Sequence, residues 1–462
     1  MLPPSQQNTN ERYEASKPSL TAENRRIPDS VEASLLSAKE QLSLRLVLFS
    51  ALTEYQDAPK AREATKNAGR THRRDFLDAF AYLCDVEKGG ATVTAAALEQ
   101  LEHSNFLWLA ANEGISQDVK AYAETLLRGL QQPHFQGLEE WIFRQAVTKC
   151  APRIETYQQG VKHHATACRM QLRILLERDD TIVLHVRRIL KRLSEPKNQD
   201  AATFVDFCHN MKPKDISDIL TAGEQVGDPD QDFEKLRHFI HGLAATRAKS
   251  HVVVEAARLD PALRNITEIR TVHAPSEVRL RMSAEIFKPY DIVWDICKAS
   301  HNQYHNLSAL HAIVERDSPL MRVTLRSEMA RKGQSTITRV HAELQVADRF
   351  SRDKMVFLGN DRYIGCSKPA CYFCFNWLKF HHKNFVLPAT HSKIIIGCRA
   401  PDDGLHEPGA RILAETYAKV SNGVGEDILN FLLNSPGGEG SRPRRLQFQS
   451  TEGPSLAPST VG

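Results

Sequence analysis

Two short motifs, His341-Ala342-Glu343 and Cys371-Tyr372-Phe373-Cys374, stand thirty residues apart and constrain this 462-residue chain more than any other feature. One histidine and two thiolates can hold a zinc ion and leave its fourth position open to water. A carboxylate two residues after the histidine would then lie close to the metal without ligating it. To share one ion, the two segments must be brought together by the fold. Each motif reads as the start of a helix, where unpaired N–H groups and the helix dipole favour thiolate over thiol.

Hydrophobic spacing changes character near residue 266. Before it, helical periodicity dominates. Residues 1–28 are polar, rich in Ser, Asn and Pro, and expected to be disordered. Asp29 offers a helix N-cap with Glu32 three residues later. Leu35, Ala38, Leu42, Leu46 and Phe49 then follow along one helical face. Phe76, Phe80 and Leu83 repeat the pattern up to Gly89-Gly90, and Leu98, Leu101, Leu107 and Leu109 read as a further helix. Gly137 to about Leu193 reads as long helix with breaks, and Asp232–Leu259 as another. No internal repeat emerges, which argues against a regular solenoid.

After residue 266, strand and helix signals alternate. Ile266–Val272 is β-prone, Met321–Leu325 reads as a strand, Tyr363–Cys366 as a short strand after the Gly359-Asn360-Asp361 turn, and Ser392–Ile396 as a buried one. Helices are expected from Tyr290 to about Arg316, over His341–Phe350 and Cys371–Phe380, over about Gly409–Lys419, and over Glu426–Leu433. Such alternation implies a layered α/β domain. The expected organisation is a disordered tail over 1–28, a helical domain over 29–265, an α/β zinc domain over 266–434, and a second disordered tail over 435–462.

Composition narrows the setting. No stretch approaches twenty apolar residues, so no membrane-spanning helix is expected. The polar start lacks the apolar run of a secretory signal, and Glu11 and Glu14 argue against a mitochondrial presequence. Nine cysteines, an odd count, point to reduced thiols, hence an intracellular setting, cytoplasmic or nuclear. Net charge is +4, yet residues 320–400 carry fourteen Lys/Arg against five Asp/Glu. A basic surface there would suit a nucleotide or single-stranded nucleic acid; a solvated basic face with no polyanion partner is the competing reading. Arg187, Arg188, Lys191 and Arg192 form a second basic stripe, read as a solvated helix face. Protein partners of the helical region are not legible.

His-x-Glu and Cys-x-x-Cys carry little alone; together, in this order and at this separation, they specify more. With Tyr363-Ile364-Gly365-Cys366-Ser367-Lys368 and Thr390-His391-Ser392-Lys393, they resemble the zinc-dependent nucleoside and nucleic-acid deaminase superfamily. In particular, they look like the deaminase-like proteins widespread in fungi, which pair a helical N-terminal region with a C-terminal deaminase-like domain. The motif-bearing part spans about 335–396, and the helical half resembles that family only around Asp75–Thr92. The resemblance implies a cytidine-deaminase-like three-layer α/β/α sandwich with a mixed sheet. It also implies His341, Cys371 and Cys374 as zinc ligands, a zinc-bound water as nucleophile and Glu343 as proton shuttle. One departure stands out: Ala370 precedes Cys371 where the superfamily usually has Pro, and Pro369 lies one residue earlier.

Competing readings attach to particular residues. Cys366 could close the site as a fourth ligand, giving a purely structural Cys3His centre. His381 or His382 could ligate instead, and Cys371-x-x-Cys374 could be a redox pair. His391 could line a pocket or be an ordinary surface histidine. His164 and Cys168 share a helical face at metal-binding spacing but read as ordinary helix. The leading expectation is a zinc hydrolase that deaminates a cytosine- or adenine-type base. The alternative is a catalytically inactive deaminase-like scaffold held by structural zinc. A helical nucleic-acid-binding protein with incidental zinc is the third reading.

Overall fold

The computed structural model describes residues 28–55, 71–132, 136–175, 181–195, 200–228, 230–280, 282, 284–299, 319–333 and 336–434. The chain starts with α1 (Asp29–Tyr55) and α2 (His72–Cys84), then forms a hairpin of β1 (Thr94–Gln100) and β2 (Asn105–Ala111). Among the described residues, eight α-helices follow: α3 (Gln117–Leu130), α4 (Leu138–Lys149), α5 (Ala151–Gln171), α6 (Thr181–Ser194), α7 (Ala201–His209), α8 (Pro213–Val226), α9 (Asp232–Leu259) and the short α10 (Pro261–Arg264). Next come β3 (Ile266–Thr271), β4 (Val278–Leu280), α11 (Pro289–Ala299), α12 (Pro319–Gly333) and β5 (Thr336–Thr338). The remainder is α13 (Ala342–Arg352), β6 (Gly365–Cys366), α14 (Tyr372–Phe380) and α15 (Glu407–Asn434).

The main sheet is mixed, in the order β3-β2-β1-β6. β1 runs antiparallel to β2, from Thr94↔Ala111 to Gln100↔Asn105, and antiparallel to β6 through Ala95↔Cys366 and Ala96↔Gly365. β3 lies parallel to β2. Parallel neighbours need a crossover connection, and here α3–α10 supply it. The helical region is therefore a long excursion between two adjacent strands. The boundary expected at 265/266 falls between β2 and β3, which are hydrogen-bonded to each other.

Both faces of the sheet are covered. Ala96, Leu98, Leu107 and Leu109 point into a core shared with α2–α9. Ala95, Ala97, Phe106, Trp108 and Ala110 point into a second core with α1 and α11–α15. This is the period-two alternation of a strand, with apolar residues on both sides.

The helix expected around Leu98–Leu109 is thus corrected to the β1–β2 hairpin. Ala-rich β1 has good helix formers, but burial on both faces overrides intrinsic propensity. Three further expectations change. Residues 321–325 lie within α12 rather than a strand. Ser392–Ile396 is irregular chain leading to a turn: Lys393 O accepts the Tyr372 N–H, while the Ser392 and Lys393 N–H groups bond locally to Thr390 Oγ1 and His391 Nδ1 instead of joining a ladder. The two helices expected between Gly409 and Leu433 are one helix, α15. The distal part of the helix expected up to Arg316, and both expected disordered tails apart from Pro28, lie outside the described residues. Among the described residues, no helix is long and apolar enough to cross a membrane.

Candidate metal centre

Two helix N-termini meet at the site. His341 is the N-cap of α13, in extended backbone (φ −69°, ψ 154°), and its side chain makes no cap hydrogen bond. Asn112, at the end of β2, fixes this terminus from outside: its Oδ1 accepts the Ala342 N–H at 2.8 Å. Gln345 adds donations to Ala111 O and Val340 O at 3.0 and 2.8 Å. Cys371 is the N-cap of α14, and its Sγ accepts the Cys374 N–H at 3.4 Å. One turn of helix therefore places both sulfurs on the same side.

These caps bring the expected donors together. His341 Nδ1 lies 3.6 Å from Cys371 Sγ and 3.4 Å from Cys374 Sγ. A fourth donor is present that sequence reasoning missed: Cys398 Sγ, 3.4 Å from Cys374 Sγ. Ligand atoms of His341, Cys371, Cys374 and Cys398 all lie within 4.8 Å of one another. Tetrahedral zinc with bonds of about 2.3 Å to sulfur and 2.05 Å to nitrogen has edges of about 3.8 Å between sulfurs and 3.6 Å between sulfur and nitrogen. The donor set fits such an ion.

Electrostatics agree with a cation site. Burial raises the Cys371 thiol, but hydrogen bonds with Cys374, Cys398 and His341, and the His341 charge, hold it well below its ordinary range. Burial would push the His341 imidazole down, yet the surrounding sulfurs hold it well above. Burial pushes Cys374 well up and Cys398 up to about 12. His341 and Cys371 thus shift in opposite directions, each favouring the charged form of the other.

Glu343 sits one residue inside α13 and is 5 % exposed. Burial pushes its carboxyl above the ordinary range, and the Cys371 thiolate adds to the rise, while His341 and Cys374 pull the other way. It borders the donor cluster but is not among its four members.

Cys366, the fourth ligand considered from sequence, is not in the cluster either. Its N–H is bound by Asp78 Oδ1 at 3.0 Å, and its thiol points to Ile364 O at 3.7 Å. Burial, with the Glu343 and Asp78 carboxylates nearby, pushes that thiol well up, so it stays protonated. His381 stacks on His382 and leans on Phe385, and neither histidine joins the cluster. His164 Nδ1 bonds Asp232 Oδ1 at 2.8 Å, and Cys168 is buried in the helical core.

His391 flanks the centre. Its N–H donates to Ala370 O at 3.1 Å, and its ring feels the charge of Cys371, although burial keeps its pKa low. Ala370 itself explains the missing proline: its N–H donates to Ala389 O at 2.8 Å, a bond proline could not make. On the basic stripe of α6, Arg188, Lys191 and Arg192 are exposed, with the Arg192 guanidinium 4.1 Å over the Phe207 ring.

Cys398 carried one signal in the sequence, its place directly after the apolar run Ile394-Ile395-Ile396-Gly397. Nothing in its spacing from Cys374 marks it as a ligand. A bridge between Arg339 and Cys398 delivers it, placing Cys398 beside the segment that leads into His341.

A family model described as "OTT_1508_deam:-like deaminase" matches residues 340–402. That stretch contains His341, Glu343, Cys371, Cys374 and Cys398. No curated protein and no solved structure matches the chain.

Proposed function

We propose that this protein is a zinc-dependent hydrolytic deaminase. Its substrate would be a cytosine- or adenine-type base in a nucleoside, nucleotide or single-stranded nucleic acid. The observation that carries the reading is Glu343, a buried carboxyl of raised pKa beside a donor cluster of one histidine and three cysteines, within a deaminase-like segment. A purely structural zinc site has no need of that carboxyl, whose burial costs free energy.

His341, Cys371 and Cys374 would hold the ion, leaving Glu343 off the metal. Zinc bound there supplies Lewis acidity, lowering the pKa of water from 15.7 to about 7. Glu343 handles the protons. Its raised pKa suits it to accept one from water, pass it to the ring nitrogen, and transfer a second to the departing amine. The net change is water added, ammonia lost, and an amidine carbon turned into a carbonyl. Asn112 and Gln345 keep the α13 terminus in register with β2, so the carboxyl and the imidazole share one fixed geometry.

The two covered faces of the mixed sheet support the three-layer α/β/α arrangement of cytidine-deaminase-like domains. The excess of basic residues in 320–400 supports an anionic substrate, and the free thiols support an intracellular, cytoplasmic or nuclear setting.

The test is ammonia release from nucleosides, nucleotides and single-stranded oligonucleotides by zinc-loaded protein. Glu343→Ala should keep fold and metal and lose activity by about 10²–10⁴-fold, the usual worth of a general acid–base. Equal activity in the variant would remove Glu343 from the chemistry. No release from any substrate would leave the zinc-held scaffold as the reading.

A further inference from the structure

The geometry points to Cys398 as a fourth protein ligand, and hence a built-in competitor for the position that water must take. This inference rests on the zinc reading above and concerns who occupies the metal's last corner.

Three observations carry it. First, the Cys398 sulfur is aimed into the cluster. It lies 3.4 Å from Cys374 Sγ, within 4.8 Å of the other two donor atoms, and its residue is 5 % exposed. A cysteine buried only for packing has no reason to join three donors at the spacing of a coordination tetrahedron.

Second, the backbone holds the sulfur there independently of any metal. Arg339 N–H donates to Gly397 O at 2.8 Å and Arg399 N–H to Arg339 O at 2.9 Å, so Cys398 is gripped on both sides. Cys398 N–H closes the turn onto Ile395 O at 3.2 Å. A Cβ on Gly397 would come within 2.9 Å of Ile337 O, so the strap lies close against the strand that precedes His341. Arg399 anchors the far side through Asp402 and Ser276 O at 2.6 and 2.7 Å.

Third, the competing thiol is accounted for elsewhere. Cys366 is tied down through its own backbone by Asp78, its thiol bonds Ile364 O, and it is not a member of the donor cluster.

A His/Cys3 set differs from His/Cys/Cys in a way that matters for chemistry. Three thiolates give the loaded centre a formal charge of about −1 instead of zero, and they fill all four tetrahedral positions. Metal is then held more tightly, while the corner needed for hydrolysis is taken. Removing the Cys398 thiol should weaken metal binding and raise turnover together, a combination that a merely structural cysteine would not produce.

The experiment begins with the unmodified, zinc-loaded full chain and counts its sulfur ligands by zinc X-ray absorption. Three sulfurs are expected; two would overturn the inference, as would a chain that takes up no metal. Cobalt(II) loading then compares variants through sulfur-to-cobalt charge-transfer absorption. Cys398→Ala should keep one metal per chain and lose about a third of that intensity, while Cys366→Ala should match wild type. Against a chelator, Cys398→Ala should bind metal at least about 10-fold more weakly, the loss expected even for an outer-shell partner. Identical charge-transfer intensity in wild type and Cys398→Ala would also sink the idea. Ammonia release keeps the two claims apart. Two sulfurs with Glu343-dependent ammonia refutes the fourth ligand and keeps the deaminase; three sulfurs with no ammonia from either protein does the reverse.

Discussion

Asp78 shows how one side chain outside the centre sets its surroundings. The Tyr363 hydroxyl donates to both of its carboxylate oxygens at 2.9 Å, and the Cys366 N–H donates to Oδ1 at 3.0 Å. Burial pushes the carboxyl up to about 6, against the pull of Lys249, Cys366 and Tyr363, with Asp75 adding to the rise. An unfolded aspartate titrates near 3.9. Between those values the native state keeps a proton that the unfolded chain has lost. Stability from this group is therefore complete below about pH 4, falls as pH rises to about 6, and is flat above. The loss is on the order of 2–3 kcal/mol. Asp78→Asn should remove that slope, so urea midpoints of the two proteins should diverge between about pH 4 and 6. Parallel pH profiles would show that the carboxyl is not perturbed. Legibility at this scale follows distance along the chain. His341, Cys371 and Cys374 could be read because each lies in a helix's first turn, where spacing fixes direction. Cys398 could not, because only a backbone bridge to Arg339 brings it in. Cys366 misled by being near in sequence while its backbone is turned toward α2.

Elements were legible where one face alone is buried. The amphipathic α6 and the helices carrying the two motifs follow from local periodicity, whereas β1 and β2, covered on both sides, give no alternation of polar and apolar residues. The edge strand β6 is only two residues long, and its position rests on close contact with α2. A Cβ at Gly365 would lie 2.5 Å from the Leu77 carbonyl carbon and 2.7 Å from Asp78 N. These are backbone atoms inside a helix, so they cannot yield as a flexible side chain would. Gly365→Ala should cost at least about 2 kcal/mol, within the range for overpacking, and displace the strand that leads to Cys371. A lowered denaturant midpoint with weaker metal retention is expected; an unchanged midpoint would mean that α2 does not press on β6 in solution.

Across the whole molecule, chain order and spatial order part company. α1, from the start of the described chain, lies along α15 near its end, with Arg45 Nη1 donating to Ser421 O at 2.7 Å. Phe49 sets its ring edge-on to Tyr372 and Phe431, with centroids at 5.6 and 5.9 Å, so α1 braces the turn that presents Cys371. The sheet behaves likewise. β3 pairs with β2 and β6 with β1, and the two outer strands never touch. A fragment of residues 266–434, the zinc domain expected from sequence, would keep every metal donor yet lose both central strands. It would also lose α1 and the burial of Phe106 and Trp108, each worth about 1.5–3 kcal/mol. Domains have only about 5–15 kcal/mol of net stability, so a fragment that keeps the β4–β5 pair but leaves β3 and β6 without partners, and its core without α1 and the hairpin, has little to offset that loss. It should fail to unfold cooperatively and bind zinc only weakly, whereas residues 29–434 should show a cooperative transition and one metal per chain. Circular dichroism melts with metal analysis on both pieces decide the matter. A cooperative, zinc-retaining 266–434 would mean that the hairpin and α1 are dispensable supports instead of parts of the domain that holds the metal.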